Sequence, residues 1–413
     1  MELPVHGCSK KGGSMSTSGG KTVLITFGRS FLALHLARLM GAAGHNVLIS
    51  DSVPFPITRF SSSVKKTFRT PRPTFEPVEW TRAIAQIVHE QSVDLVVPIH
   101  EGTEILAHTI KRYPDLFPDR CTLFFSEFEL EAQLENKYEF QAALKTLGIP
   151  TLDFAQVRSR EELEALDFDQ PFALKPVYSR GSQEIHKVRP GELPRGLSFE
   201  AGNTWIAQEW ADGTNYCSYS VCHHGQIKAH AAYPVRYAID GTSCLTFESI
   251  QHEGIAAWVR ECVKAFNFTG QMGLDFIETP GGELFAIECN PRATSGILLF
   301  DPETRVDRAF FGTNEKLIVP APGASKMLGP GMLMYGWRKS ALKDNTFRGF
   351  LRDYRRTDGV IFARRDPAPS LALPLAMGNI LAEAARYRVN IPEAFMHDHE
   401  WDGGRADGNG GPG

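Results

Sequence analysis

Residues 270–296, GQMGLDFIETPGGELFAIECNPRATSG, decide the fold, because this stretch has the pattern of a β-hairpin. Two strand-like runs, 272–278 and 283–290, flank the tetrapeptide TPGG, whose residues favour a tight turn. A loop of this length places Asp275 opposite Ala286 in the antiparallel ladder. Side chains alternate between the two faces of a strand, so this register assigns every residue of the hairpin to a face.

The predicted register separates an apolar face from a polar one. The apolar face gathers Met272, Leu274, Phe276, Phe285, Ile287 and Cys289. The other face carries Gly273, Asp275, Ile277, Leu284, Ala286, Glu288 and Asn290. Asp275 lies diagonal to Glu288 in this register, at about 7–8 Å between backbones, a separation that facing carboxylates can close. Oxygen ligands gathered in this way suit Mg²⁺, which completes its coordination with phosphate and water. The alternative is a polar face that meets solvent.

An arginine follows the second strand directly. Arg292 comes after Pro291, and a guanidinium beside a metal site suits a developing phosphoryl charge. The order of strand, Asp, turn and E-x-N-P-R resembles the metal-binding hairpin of the ATP-grasp superfamily, most closely its carbamoyl-phosphate-synthase-like and carboxylate–amine ligase members. The resemblance implies that Asp275, Glu288 and Asn290 hold Mg²⁺ on ATP, with Mn²⁺ as an alternative metal. It also implies that Arg292 contacts the reacting phosphate.

The composition is that of a globular protein without a dominant charge. The chain has 413 residues, of which 42% are hydrophobic and 22% charged, and its net charge is −4. This length predicts two or three domains, and the charge gives no indication of a nucleic acid or an acidic membrane as partner. No apolar run approaches about 18 residues, so no transmembrane helix is expected. The seven cysteines lack paired spacing, which favours reduced thiols in a cytoplasmic protein.

The N-terminal part alternates strand and helix patterns. After a Gly- and Ser-rich lead-in at 1–20, strand patterns occur at 22–27, 47–50, 94–99 and 121–125. The helical patterns between them predict a doubly wound parallel sheet, a Rossmann-like domain over 21–125. The turn TFGRS has one glycine where the dinucleotide fingerprint needs three, so a dehydrogenase is disfavoured. The family resemblance implies a domain of this kind ahead of the ATP-binding part.

Two loops are candidates for contacts with the second substrate. His100 and Glu101 follow the strand at 94–99, and ligands bind at strand ends in sheets of this kind. The alternative is a helix N-terminus, where a glutamate is favourable beside the helix dipole. After the hairpin, the turn that contains Ser295 and Gly296 is expected to offer backbone N–H groups to an acyl phosphate.

Lysines predict phosphate contacts in the next segment. Residues 127–147 have the pattern of one long helix, and the family resemblance implies that Lys137 within it binds the nucleotide. Lys175 lies inside the strand-like run PFALKPV, which is a more informative place for a lysine than an exposed helix. The following loop contains Gly181 and Ser182, and small residues let backbone N–H groups approach phosphate oxygens. A plain turn is the alternative, but strand lysine and loop together resemble the family's phosphate-binding lysine and lid.

The resemblance also implies nucleotide contacts along the following strands. The family's adenine-binding hinge falls on Gln208, Glu209 and Ala211. Relatives then carry an acid that reaches the ribose, whereas this chain has Asn215, which can hydrogen-bond a hydroxyl group but has no charge. Arg236 lies near the end of a predicted hairpin and is a candidate for contact with phosphate or substrate. The alternative for Arg236 is a solvated arginine at a sheet edge.

The resemblance covers the chain from about residue 21 to residue 312. It implies an ATP-grasp domain over 126–312, with a lid subdomain at about 150–212. Residues 313–401 are predicted to form an accessory region or an oligomer surface. The Gly-rich tail at 402–413 is expected to be disordered.

The implied function is that of an ADP-forming ligase that joins a carboxylate, such as an amino acid or another small acid, to an amine. The carboxylate attacks the γ-phosphoryl group of ATP, an acyl phosphate forms, and the amine displaces phosphate. The expected partners are small-molecule substrates, with a homodimer left open.

Two alternatives to this function remain. One is a bicarbonate-activating carboxylase or synthase, which is disfavoured because the sequence has no biotinyl-attachment Met-Lys-Met and no second copy of the domain. The other is a nucleotide-binding regulatory protein without turnover, which the acids Asp275 and Glu288 disfavour.

Overall fold

A five-stranded parallel sheet organises the N-terminal part of the computed structural model. The structure describes residues 20–178, 185–192, 194, 197–199, 204–239, 243–337 and 347–400. The strands of this sheet are β1 (Thr22–Ile25), β2 (Asn46–Asp51), β3 (Val64–Arg69), β4 (Leu95–Val97) and β5 (Thr122–Leu123). Their order is β3-β2-β1-β4-β5, which confirms the doubly wound sheet. β3 lies outside the predicted strands, because its sequence VKKTFR is mostly polar and only partly buried.

Three helices cover this sheet: α1 (Phe31–Ala42), α2 (Pro77–Gln91) and α3 (Gly102–Arg112). The Ser30 side chain accepts a hydrogen bond from the Leu32 N–H and so caps the start of α1. The apolar side of α1 packs into a core that extends beyond the parallel sheet and includes Val23, Ile25, Leu36, Met40, Val97, Tyr219, Leu298 and Phe300. The N-terminal sheet and the region around the hairpin therefore share one hydrophobic core.

The segment 127–147 forms two helices, α4 (Phe128–Glu135) and α5 (Lys137–Thr146), and the prediction of one helix was wrong. Asn136 separates them, because its side chain accepts hydrogen bonds from two N–H groups of the following turn while its own backbone is extended. The chain turns at this asparagine, and Lys137 becomes the first residue of a new helix.

A small antiparallel sheet lies within the interval predicted for the lid. Its strands are β6 (Phe154–Val157), β7 (Phe172–Pro176), β8 (His186–Val188) and β9 (Trp205–Glu209), and α6 (Arg160–Glu164) follows β6. The strand order is β6-β9-β7-β8. Phe172, Leu174 and Trp205 pack together on one side of this sheet. Because side chains alternate along β7, Lys175 lies on the opposite side.

A second antiparallel sheet carries the hairpin. Its strands are β10 (Thr214–His223), β11 (Gln226–Pro234), β15 (Gly270–Glu278) and β16 (Leu284–Asn290), in the order β11-β10-β15-β16. Between β11 and β15 the chain forms β12 (Ala238–Ile239), β13 (Ser243–Cys244), β14 (Thr246–Glu248) and α7 (Glu253–Ala265). The apolar stripe of α7 packs on the hairpin, where Val259, Cys262, Met272, Leu274 and Phe276 belong to one core cluster.

The register of the hairpin differs from the predicted one in two steps, one at the turn and one at a β-bulge. Glu278 pairs with Leu284 where the four-residue loop predicted Glu283, so the ladder starts one residue later. Phe276 pairs with Ala286, and the register then shifts so that Asp275 lies directly opposite Glu288. Ile287 is the extra residue of β16 at this point. The predicted pairing of Asp275 with Ala286 was therefore wrong, and the two carboxylates face each other instead of lying on a diagonal.

The bulge also changes which side chains of β16 enter the core. Ala286 is buried beside Phe276, and Leu284 packs against the same cluster. Phe285 and Ile287 remain partly exposed. The predicted faces of these four residues of β16 were wrong, because one extra residue reverses the alternation on one side of the bulge.

The C-terminal part adds short elements around the two larger sheets. They are α8 (Asp307–Phe310), β17 (Ser325–Met327), α9 (Gly329–Tyr335), α10 (Phe347–Arg356), β18 (Asp358–Gly359), α11 (Ala368–Leu371), α12 (Leu373–Tyr387) and α13 (Ile391–Met396). β14, β17 and β18 form a three-stranded sheet. One side of α12 packs on the N-terminal part, where Ala376 contacts the cluster of Leu34 and Ile57.

A buried ionic network joins the C-terminal segment to the parallel sheet. Arg29 donates hydrogen bonds to Asp51 at the end of β2 and to Asp398, at 2.6 and 3.0 Å. Burial alone would raise the pKa of Asp398, but Arg29 and His399 hold it well below its usual range. The His399 ring lies 4.1 Å from the ring of Phe27. Residues near the chain's end thus cover the carboxyl edge of β1 and β2.

No helix in the described ranges is both long and apolar enough to cross a membrane.

Candidate active site

The hairpin brings three oxygen-bearing side chains to one place. Asp275 lies opposite Glu288, and Asn290 lies opposite Gly273 one pair further along. In the described part of the chain no three His, Cys, Asp or Glu side chains come close enough to hold a metal ion. A site for Mg²⁺ would therefore consist of two acids and the Asn290 amide, completed by phosphate and water. The assignment of these three residues to a metal stays a prediction.

The charge around Asp275 favours a cation. Burial raises the pKa of Asp275 to about 6, and the neighbouring Glu288 raises it further in the same direction. A hydrogen bond from the Cys217 thiol and the charges of Arg292 and Lys175 act against this shift. A divalent ion between the two acids would remove their repulsion, so the residues present fit Mg²⁺.

Two lysines approach the same carboxylate from different elements. Lys175 projects from β7, where it is buried, and its Nζ donates to Gln208 Oε1 and to the Ile287 carbonyl oxygen, both at 3.1 Å. Lys137 is also buried, and its Nζ lies 3.5 Å from Glu288 Oε1. Burial lowers the pKa of Lys175 to about 8, whereas Glu288 acts to raise it. The structure thus brings both predicted lysines to the hairpin acids.

The bulge presents the acceptor that holds Lys175. Ile287 is the bulged residue, and its carbonyl oxygen accepts the lysine hydrogen bond. The other acceptor is the side chain of Gln208, which is buried and whose Nε2 has no partner within the described residues. Gln208 was predicted to contact adenine mainly through its backbone. Its side chain contacts Lys175, and the adenine contact stays a prediction.

The remaining predicted nucleotide contacts are less tightly grouped. Glu209 ends β9, and Ala211 lies in the loop that follows. Asn215 is exposed on β10, on the same face as Cys217, whose thiol contacts Asp275. The predicted phosphate loop with Gly181 and Ser182 lies outside the described residues.

Arg292 is buried among carboxylates. Its Nη2 lies 3.1 Å from Glu101 Oε1, and its Nη1 lies 3.1 Å from Glu135 Oε2 and 2.5 Å from Asn290 Oδ1. Burial alone would lower the pKa of Arg292, but Glu135 and other acids raise it. The guanidinium is thereby fixed beside the predicted metal ligand Asn290.

The acids that hold Arg292 belong to a cluster that sequence reasoning missed. Glu104 and Glu131 lie beside Glu101 and Glu135 and are fully buried. Burial raises the pKa of Glu104 and of Glu131 well above the usual range. A signal was present in the sequence, because Glu131 and Glu135 have i,i+4 spacing, and Glu101 and Glu104 have i,i+3 spacing.

The loops predicted to contact a second substrate have structural partners. His100 has a left-handed backbone with φ of 56°, and its Nε2 lies 3.4 Å from Ser30 Oγ. Glu101 binds Arg292 as described above. A Cβ atom at Gly296 would lie 2.3 Å from the Tyr219 Cβ, so this position requires glycine for packing. Ser295 is partly exposed at the start of a 3₁₀ turn.

Arg236 is not part of this group of side chains. It forms an ion pair with Glu248, and its side chain is 59% exposed. This arrangement corresponds to the alternative of a solvated arginine at a sheet edge, and a role in catalysis stays a prediction.

The fold of this α/β protein brings two lysines, two facing acids and a buried arginine together between two antiparallel sheets. This grouping is the candidate site. Residues 134–296 match the family model of the ATP-grasp domain. This part of the chain is an ATP-grasp domain, as the resemblance of the hairpin implied. No curated protein matches the chain.

Solved structures share the fold at low sequence identity. N5-carboxyaminoimidazole synthetase from Staphylococcus aureus, complexed with ADP, is 14% identical with a TM-score of 0.58, over 75% of this chain and 80% of that one. L-amino acid ligase from Bacillus licheniformis is 15% identical with a TM-score of 0.52, and the match covers 72% of this chain and 77% of that one. The third structure is the biotin carboxylase domain of Hydrogenobacter thermophilus 2-oxoglutarate carboxylase, a dimer in complex with MgADP, ADP and bicarbonate. It is 16% identical with a TM-score of 0.56, and the match covers 71% of this chain and 70% of that one. At this identity the likeness concerns the fold.

Proposed function

We propose that the protein is an ATP- and Mg²⁺-dependent, ADP-forming ligase that joins a carboxylate to an amine through an acyl phosphate. The observation that carries this proposal is the meeting of Lys175 and Lys137 beside Glu288, which itself faces Asp275. Lysines and facing acids at one point suit a nucleotide phosphate tail with its cation. The substrates are small molecules, and a cytoplasmic location is part of the proposal.

The two lysines bind and orient phosphate oxygens. Lys175 is held by Gln208 and the Ile287 carbonyl oxygen, so its position is fixed before a nucleotide arrives, and positioning is the main task in phosphoryl transfer. Asp275, Glu288 and Asn290 would hold Mg²⁺, which neutralises charge on the phosphate oxygens when bound. Gly181 and Ser182 remain candidates for closing over the phosphates.

Arg292 stabilises the charge that develops during transfer. Its position beside Asn290 is fixed by Glu101 and Glu135, so the guanidinium needs little reorganisation when the substrate carboxylate attacks the γ-phosphorus. The bond between the γ-phosphorus and the bridging oxygen breaks, and ADP leaves. The amine then attacks the acyl carbon and phosphate leaves.

A bicarbonate-activating enzyme is the second candidate. One of the similar structures, a 2-oxoglutarate carboxylase domain, contains bicarbonate together with MgADP. The same phosphate site would serve either reaction, because bicarbonate and a carboxylate both attack through an oxygen anion.

The test is nucleotide turnover with pooled substrates. The purified protein is incubated with Mg·ATP and pools of carboxylates or with bicarbonate, each with and without pooled amino acids, and ADP and phosphate are measured. We expect release to require a carboxylate, and hydroxylamine to trap the activated acid as a hydroxamate. Glu288→Gln serves as the inactive control.

The outcomes separate the candidates. Pyrophosphate as a product would refute the mechanism, because an adenylating enzyme attacks the α-phosphate. Turnover with bicarbonate alone would favour the second candidate. ADP release that is indifferent to every carboxylate and to bicarbonate, or no release at all, would favour a regulatory nucleotide-binding protein.

A further inference from the structure

Helix α12 has one buried face and one exposed apolar face. Ala376 and Ile380 are buried against the N-terminal part. On the opposite side, the exposed residues follow the helical repeat and are Pro374, Leu375, Gly378, Leu381, Ala382 and Ala385, with Leu371 preceding them. Leu371 is 81% exposed, Leu375 47% and Leu381 53%. Exposed stripes of this kind mark interaction sites in soluble proteins.

We propose that this face of α12 is the contact between two copies of the chain, packed antiparallel about a two-fold axis at Gly378. From Leu371 to Ala385 the stripe carries no charged side chain, and Arg386 stands only at its end. A charged partner or an anionic membrane would call for basic or acidic groups along the stripe. An uncharged apolar face is complementary to itself and needs no counter-charge.

The spacing of side chains around Gly378 supports the two-fold arrangement. In an antiparallel pair, Leu375 of one copy meets Leu381 of the other, since these residues lie three positions before and after the glycine. By the same rule Pro374 meets Ala382, and Leu371, the last residue of α11, lies toward the end of the partner helix that carries Ala385. The two leucines meet each other on either side of the glycine, while alanines oppose the larger residues further out. Every contact occurs twice, as an isologous interface requires.

Gly378 allows the helices to approach closely. A Cβ atom built at this position has no other atom within 4 Å, so the space outside the helix is open. Helices pack at about 8–10 Å between axes, and their Cα atoms lie about 2.3 Å from each axis. The two Gly378 Cα atoms would then be about 3.5–5.5 Å apart.

The first test is the oligomeric state of the full chain by sedimentation velocity at micromolar concentration. We expect a dimer. Leu375→Arg should weaken it about 30-fold per copy and so about 1,000-fold in all, because the substitution acts twice. Gly378→Leu should also give monomer while keeping the helix, since leucine has the higher helix propensity. Leu147→Arg is the matched control, because Leu147 is exposed to 44%, and it should remain a dimer.

The second test is the geometry of the contact. Gly378→Cys should form a cross-linked dimer under oxidation, because the Cα separation above suits a disulfide. Ala385→Cys lies seven residues along the helix, so its copies would be about 21 Å apart and should not cross-link. A monomeric wild-type protein, a Leu375→Arg variant that stays dimeric, or cross-linking at Ala385 in place of Gly378 would each overturn the proposal. Binding of the monomer to lipid vesicles through these leucines would assign the face to a membrane instead.

Discussion

Acid should destabilise the protein through two buried histidines. His35 lies in α1, and its Nε2 donates to the Phe300 carbonyl oxygen at 2.8 Å, which ties the parallel sheet to the segment after the hairpin. Burial lowers the pKa of His35 to about 4. Burial likewise lowers the pKa of His230 in β11 to about 4. In the unfolded chain both histidines return to the ordinary pKa of about 6.5.

The sign and size of the effect follow from these values. Between pH 6.5 and 4 the unfolded chain binds a proton at each histidine and the folded chain does not, so the free energy of unfolding falls as the pH falls. Below about pH 4 each histidine has lowered the free energy of unfolding by its full amount, about 3.4 kcal/mol. At about pH 5 the loss relative to about pH 7.5 is about 2 kcal/mol for each and about 4 kcal/mol for both.

Urea denaturation at these two pH values measures the effect. His35→Gln keeps an N–H donor for Phe300 but cannot titrate, and His230→Gln removes the second histidine. Each variant should lose about 2 kcal/mol less than the wild type between the two pH values, whatever its stability at neutral pH. Other titrating groups, such as Asp307 with a pKa of about 2, cancel in this comparison. An identical pH dependence in wild type and His35→Gln would refute the reasoning.

Three further predictions concern the site and the C-terminal segment. Glu288→Gln should leave the fold intact and remove most turnover, because a neutral amide replaces an anionic metal ligand; near-wild-type activity at saturating Mg²⁺ would contradict the assignment. Asn215→Glu should tighten ATP binding or leave it unchanged, measured by calorimetry, and a structure with ATP that shows Asn215 far from the ribose would remove the idea. Asp398→Asn should lower the free energy of unfolding by about 3–5 kcal/mol, because a buried partner of Arg29 is lost. Asp358→Asn, at an exposed acid, is the matched control for the urea curves and should change stability little.

Part of the hairpin could be predicted from the sequence. Strand patterns and the turn tetrapeptide locate β15 and β16, and the polar residues Asp275 and Glu288 are found by type and spacing. The bulge at Ile287 could not be predicted, because the alternation of side chains has no local signal for one extra residue when both faces contain apolar groups. The register near the turn was wrong for a separate reason, because Glu278 pairs with Leu284 and the loop is one residue longer than predicted. The grouping of the two acids was right.

The helix break at Asn136 and the acidic cluster were missed in the sequence for a different reason. An asparagine is compatible with a helix interior and with an N-cap, and packing of α5 against β16 decides between them. Glu104 and Glu131 look like exposed helix residues in the sequence, because buried carboxylates are rare. Only the fold shows that Arg292 lies between their helices.

No local sequence pattern predicts the contacts of the C-terminal segment. Arg29 and Asp398 are separated by 369 positions in the chain, and neither has a neighbour in sequence that indicates a partner. The apolar composition of α12, Leu373–Tyr387, is local information that indicates a helix. Its docking on the N-terminal part depends on the side chains of a distant domain.

The irregular positions of this fold carry its candidate chemistry. The bulge at Ile287 turns a backbone carbonyl toward Lys175 and sets Asp275 opposite Glu288. The break before Lys137 starts a helix whose first side chain reaches the same Glu288. Each departure from a regular element costs local hydrogen bonds or order, so it persists only where the surrounding packing supports it. Because two such departures place charged groups at a single carboxylate, they locate the site better than the regular elements that flank it.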